Sequence, residues 1–132
     1  MKTFFRESFM LTLSVRGASD VRGNTPDAVI EAVTALVDAV ERRNGLSESD
    51  LTLILFSVTS DITALNPAAA LRRSGRYASV PLFCTQEPVY DGSLPMTVRV
   101  LIQFAADKKR PLFPVYLGKT SVLRPDLTAG NS

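Results

Sequence analysis

TPDAVIEAVTALVDAVERRNGLSESDLTLILFSV, residues 25–58, changes its hydrophobic period halfway along, and that change sets the fold class. In the first half Val29, Val33, Leu36, Val37 and Val40 recur at three- and four-residue spacing, which draws one apolar stripe on an α-helix. Thr25 is placed to cap the first turn. Pro26 takes the first helical position, where a missing N–H costs nothing, and Asp27 meets the positive end of the helix dipole. Arg42 and Arg43 suit the negative end, and Gly45 terminates the helix. A polar link, Ser47-Glu48-Ser49-Asp50, then gives way to a largely apolar run from Leu51 to Val58, which reads as a strand.

Working outward, Met10 to Val15 alternates partly between apolar and polar residues and reads as a strand that ends in a turn at Arg16-Gly17-Ala18. Pro67 to Arg73 reads as a short helix closed by Gly75. Ser79 to Cys84 and Thr97 to Phe104 read as strands, with a turn at Tyr90-Asp91-Gly92-Ser93 between them. The last strand runs from Phe113 to Leu117 and extends toward Val122. One long helix, one short helix and about five strands predict an α+β domain built on a mixed β-sheet. The expected organisation is an N-terminal extension over residues 1–9, one domain over 10–127 and a flexible tail over 128–132. Arg6 and Glu7 interrupt the opening MKTFFRESFM before a signal-peptide core of ~7–15 apolar residues can form. No apolar run approaches the ~18 residues of a membrane span, so a cytoplasmic location is the default expectation.

Composition removes several kinds of chemistry. The 132 residues carry 15 basic and 13 acidic side chains, a balance that argues against nucleic acid or an anionic membrane as partner. The lone Cys84 excludes an internal disulfide framework and a multi-cysteine metal site. The absence of histidine removes the commonest metal ligand, and with it Ser-His-Asp and Cys-His nucleophilic machinery. Chemistry in this chain is therefore expected to avoid strong acid–base work at neutral pH.

Among individual residues, Arg99 draws attention because it interrupts the apolar strand Thr97-Val98-Arg99-Val100-Leu101-Ile102. A charge there must face solvent, an internal carboxylate or an anionic ligand. Arg16 lies at an expected strand end, and Glu87 stands just beyond the strand that carries Cys84. By default Cys84 is a small core residue and Tyr116 a sheet aromatic. Arg72 by default belongs to a solvated helix face, and Arg124 pairs with Asp126.

The order of these residues adds what none carries alone. Val15-Arg16-Gly17-Ala18 is followed by Asn24-Thr25-Pro26, Ser57-Val58-Thr59-Ser60-Asp61-Ile62, Asn66-Pro67-Ala68 and Ala70-Leu71-Arg72. Then come Val80-Pro81-Leu82, Cys84 with Gln86-Glu87, Gly92-Ser93-Leu94-Pro95 and Val98-Arg99-Val100-Leu101. Val115-Tyr116-Leu117 and Val122-Leu123-Arg124-Pro125-Asp126-Leu127 close the set. From about Met10 to Leu127 the sequence resembles the AroH family of chorismate mutases.

The resemblance implies isomerisation of chorismate to prephenate without cofactor or metal, in a barrel-like homotrimer with sites between subunits. It places catalytic roles on Arg99 and Glu87, and substrate binding on Arg16, Arg72, Cys84, Tyr116, Leu123 and Arg124. The sequence departs from the family at Asn66, Ala69 and Phe83, expected on the pocket wall, and over Ala106-Asp107-Lys108-Lys109-Arg110-Pro111. The departures at Asn66, Ala69 and Phe83 keep a modified chorismate open as substrate, and because fold alone does not prove chemistry a non-catalytic ligand-binding trimer is a second reading.

Overall fold

A computed structural model describes residues 10–126; the expected extension over 1–9 and the tail over 128–132 lie outside the described residues. Five strands form one mixed sheet: β1 (Leu11–Asp20), β2 (Leu51–Val58), β3 (Leu82–Gln86), β4 (Thr97–Ala106) and β5 (Val115–Leu117). Their spatial order is β3-β2-β4-β1-β5. The central strand β4 runs antiparallel to both β1 and β2, while the edge strands β5 and β3 lie parallel to β1 and β2. Two helices, α1 (Pro26–Asn44) and α2 (Pro67–Arg72), together with short 3₁₀ helices at Glu48–Asp50 and Gly118–Leu123, complete the domain. No described helix is long and apolar enough to cross a membrane.

Helix α1 matches its sequence signals in detail. Thr25 Oγ1 accepts the Ala28 amide at 3.2 Å, and Gly45 closes the helix at a left-handed φ of 61°. Val29, Val33, Leu36, Val37 and Val40 are all buried. They pack with Val15, Ile54, Phe56, Val98, Val100, Ile102 and Phe104 from one face of the sheet. In β4 alternate residues supply that apolar face, as the two-residue period of a strand requires. α2 is capped by Asn66, whose Oδ1 accepts the Ala68 amide at 2.8 Å. Asn66 is therefore explained by helix capping.

Three strand limits differ from expectation by three residues or more, each for a physical reason. β1 runs through Arg16-Gly17-Ala18 to Asp20 instead of turning there. A Cβ on Gly17 would stand 2.9 Å from Val40 Cγ2 and 3.0 Å from the Val115 carbonyl oxygen. The glycine thus marks a close approach of helix and neighbouring strand. β3 begins at Leu82 and not at Ser79. Tyr77 takes a positive φ of 65° in a turn closed by Val80, and Pro81 has no N–H to offer the ladder. After Leu117 the chain leaves the sheet at Gly118, φ 56°, and coils into the 3₁₀ helix instead of extending as a strand.

Buried polar groups tie the helices to their loops. The Tyr77 hydroxyl donates to Glu41 on α1, and Glu48 accepts the Tyr77 amide at 3.0 Å. Arg76 reaches Asp38, Glu41 and Glu48 at 3.3–3.4 Å. Burial raises the Glu41 carboxyl above its usual range despite the Tyr77 hydrogen bond and the Arg76 charge. Near the head of β4, Asp61 accepts Thr59 Oγ1 at 2.5 Å and the Met96 amide at 3.0 Å. The Thr59 hydrogen bond holds the Asp61 carboxyl below its ordinary value.

Gly17→Ala is expected to lower stability by about 1–3 kcal/mol, because the helix or β5 must shift to admit a methyl group. A drop of several degrees in thermal midpoint checks this, and an unchanged midpoint contradicts it. Asp61 contributes stability above the ordinary carboxylate pKa of ~3.9, and that contribution is lost as pH falls through its lowered value. Asp61→Asn should therefore show a shallower fall of the urea midpoint below about pH 4 than the parent protein.

Candidate active site

The face of the sheet opposite α1 and α2 carries Arg16, Arg99 and Tyr116. Pairing registers place Tyr116 beside Ala18, Ala18 beside Arg99, Arg99 beside Ser57 and Ser57 beside Thr85. One row of side chains therefore crosses all five strands on that face. The next row on the same face holds Arg16, Leu101, Leu55 and Phe83. Between these rows lies a hollow of about 180 Å³, lined chiefly by Arg16, Leu55, Ser57, Arg99, Leu101 and Tyr116. Its volume exceeds the ~150 Å³ of a cavity that admits a benzene ring.

Arg99 sits in β4 between buried Val98 and Val100, so the pleat aims it away from the helices and into the hollow. Its Nε is shielded from solvent and makes no hydrogen bond. Glu87 Oε1 lies 3.4 Å from it, within ion-pair range but outside hydrogen-bond geometry. Glu87 is itself held firmly. Its amide extends the ladder by donating to the Val58 carbonyl at 2.7 Å, and its Oε1 accepts Ser57 Oγ at 2.7 Å. The arrangement couples a guanidinium to a carboxylate, beside a second cation and a phenol. Such a site suits a small anionic molecule that also presents a hydroxyl.

The structure thus brings Arg16, Glu87, Arg99 and Tyr116 together. Leu123 ends the 3₁₀ helix, and Arg124 follows it beside the Tyr116 hydroxyl. Arg124 is bound to Asp126 through Nε at 3.2 Å and Nη2 at 3.0 Å, the pairing its sequence neighbourhood suggests, and this raises its pKa. Two candidates stand apart from the hollow. Cys84 pairs with Phe56 in register and packs on the helix side, where burial pushes its thiol pKa up. Arg72, exposed at the end of α2, donates to the carbonyls of Tyr77 at 2.6 Å and Val80 at 3.1 Å.

Ser57 was not among the expected site residues. Its signal lies in the strand period: within Leu51–Val58 it continues the row of Leu53 and Leu55, opposite the buried Ile54 and Phe56. A hydroxyl at the end of such a row has no core role.

Comparison with known proteins shows what the chain is similar to. The family described as "Chorismate mutase type I" matches residues 12–127. The chain is 37% identical over 115 residues to chorismate mutase AroH of Thermus thermophilus, covering 86% of this chain and 93% of the relative. It is 32% identical over 120 residues to chorismate mutase AroH of Bacillus subtilis, covering 90% and 94%. The solved structure of a chorismate mutase from Clostridium thermocellum superposes with a TM-score of 0.78 at 35% identity, covering 83% of this chain and 98% of that one.

Ser57→Ala frees Glu87 Oε1 from its only hydroxyl donor among the described contacts. A several-fold fall in kcat/KM with an unchanged thermal midpoint is expected, from the loss of one hydrogen bond to a charged group. Unaltered kinetics would show that the Ser57 contact does not hold the carboxylate in place.

Proposed function

The chain belongs to the type I chorismate mutase family, and on that premise we propose that Arg99 and Glu87 carry its catalysis, with Arg16 and Tyr116 holding the substrate around them. The enzyme is an isomerase that converts chorismate to prephenate. The reaction breaks the ether C–O bond and forms a C–C bond within one molecule, so it needs neither nucleophile nor proton transfer. A chain without histidine is compatible with such chemistry.

The observation that carries the proposal is the Arg99 guanidinium lining the hollow, with its shielded Nε 3.4 Å from the fixed Glu87 carboxylate and in no hydrogen bond. A buried donor without a partner is costly, and a ligand oxygen relieves that cost. In the transition state C–O cleavage runs ahead of C–C formation. Negative charge gathers on the ether oxygen and positive charge on the ring. A guanidinium at that oxygen therefore binds the transition state more tightly than the ground state. Its planar fork keeps its charge when desolvated and can serve the ether oxygen and a carboxylate at once.

Glu87 accepts the ring hydroxyl and faces the growing positive charge. Arg16, exposed at the rim, clamps the side-chain carboxylate, and Tyr116 donates to a substrate carboxylate. Enclosure by these groups also selects the compact, reactive conformer of a flexible substrate.

The same proposal includes a homotrimer in the cytoplasm, with Leu123 and Arg124 covering the site. Two observations support the assembly. Among the described residues no helix lies over the face that bears the hollow, and Phe83 is 61% exposed beside Leu55 and Leu101. Arg72 and Cys84 lie outside the hollow of their own chain. A head-to-tail ring lets one copy's surface meet a different surface of the next. In it the partner subunit's Arg72 supplies charge to the hollow, and the partner subunit's Cys84 lines its wall.

Chorismate consumption, followed by ultraviolet absorbance, tests the central assignment. Arg99→Ala is expected to lose ~10²–10³ in kcat, the usual loss when a preorganised donor is removed. Arg99→Lys should recover little, since a point charge cannot replace the fork. Near-normal turnover by folded Arg99→Ala would overturn the assignment.

A further inference from the structure

Beyond Tyr116 the chain is gripped by the end of β1 through contacts that touch no substrate. Asp20 Oδ1 accepts the Lys119 amide at 3.0 Å. That amide belongs to the first turn of the 3₁₀ helix, whose N-cap residue Leu117 has no side chain to accept it. Asp20 therefore caps the helix from another strand, and a carboxylate there also meets the positive end of the peptide dipoles. Gly118 makes the approach possible. It sits at φ 56°, and a Cβ on it would overlap Asp20 Oδ1. Thr120, fully buried, completes the grip, with its hydroxyl 2.6 Å from the Leu117 carbonyl and 3.0 Å from that of Ala18.

The position of this clasp gives it leverage. β5 is a three-residue parallel edge strand, paired only from Gly17 to Ser19, and it carries Tyr116. The 3₁₀ helix that starts at Gly118 delivers Leu123 and then Arg124, which returns to the Tyr116 hydroxyl. A ladder of three parallel pairs is weak by itself. From this geometry we infer that Asp20 is a positioning residue for the substrate site, fixing where the segment bearing Tyr116 and Arg124 leaves the sheet. The inference rests on the reading that this segment contacts chorismate.

Kinetics of Asp20→Ala, Asp20→Asn, Gly118→Ala and the Asp20→Ala/Gly118→Ala double variant, with hydrogen exchange at Lys119, test it. Asp20→Ala should raise KM roughly tenfold while kcat stays within about threefold, as expected when loss of a helix cap is felt at binding. Exchange at the Lys119 amide should quicken while amides between β1 and β4 keep their protection. Asp20→Asn retains an oxygen of the same reach and should restore most of the KM. Gly118→Ala should behave like Asp20→Ala, and the double variant should be no worse than Gly118→Ala, because both changes remove one contact. An unchanged KM in Asp20→Ala, or the same defect in Asp20→Asn as in Asp20→Ala, would overturn the inference. Turnover of chorismate by the parent protein tests the assigned reaction separately, since the inference is read from ratios between variants.

Discussion

Everything in this domain turns on the pleat of β4. Val98, Val100, Ile102 and Phe104 project to one side and are packed under α1. The same alternation obliges Arg99 and Leu101 to project to the other, where no helix among the described residues covers them. Because β4 is the central strand and pairs with both β1 and β2, its guanidinium has neighbours from both sides. Ser57 flanks it on β2 and Ala18 on β1, with Tyr116 one strand further out. A slip of one residue would carry Arg99 into the core and the valines into water, so the register that stabilises the fold also sets the site.

The sequence disclosed α1 almost completely because its determinants are local. Thr25, Pro26, Gly45 and the valine-leucine stripe act within a few residues of one another, and no partner is needed to read them. Strand limits were less legible. Gly17, Pro81 and Gly118 are all punctuation in a linear reading, yet each does something different. Gly17 admits Val40 and Leu36 close to the strand, Pro81 delays the ladder, and Gly118 admits Asp20. The distinction depends on residues 19 or more positions away, which no local pattern contains.

The site was legible to different depths for similar reasons. Arg99 stands out in sequence because a charge inside an apolar strand demands an explanation. Glu87, Arg16 and Tyr116 become conspicuous only through the family's ordered motifs, since each is ordinary in its own neighbourhood. The side taken by Cys84 depends on the register of an edge strand against β2, and pairing with Phe56 puts it on the helix side, partly buried against the core. Ser57 was passed over although the period of its strand marks it, because a single serine in such a run reads as harmless. Its value appears only when Glu87, 30 residues later, arrives at 2.7 Å.

The domain also separates two kinds of charge. On the helix side Glu41 and Tyr77 are withdrawn from water and satisfied by each other, by Arg76 and by Glu48, an arrangement with little freedom left to bind anything else. That network fixes the loop whose carbonyls hold Arg72, so the helix side keeps an arginine oriented at the surface. On the open face the balance is reversed. Arg99 Nε makes no hydrogen bond, Arg16 stays exposed, and Glu87 is the fixed counter-charge beside Arg99. Catalysis by preorganised charge requires this asymmetry, because donors already satisfied by the protein have nothing to give a transition state. The buried network supplies rigidity, and the open face supplies the unsatisfied field that the rearrangement uses.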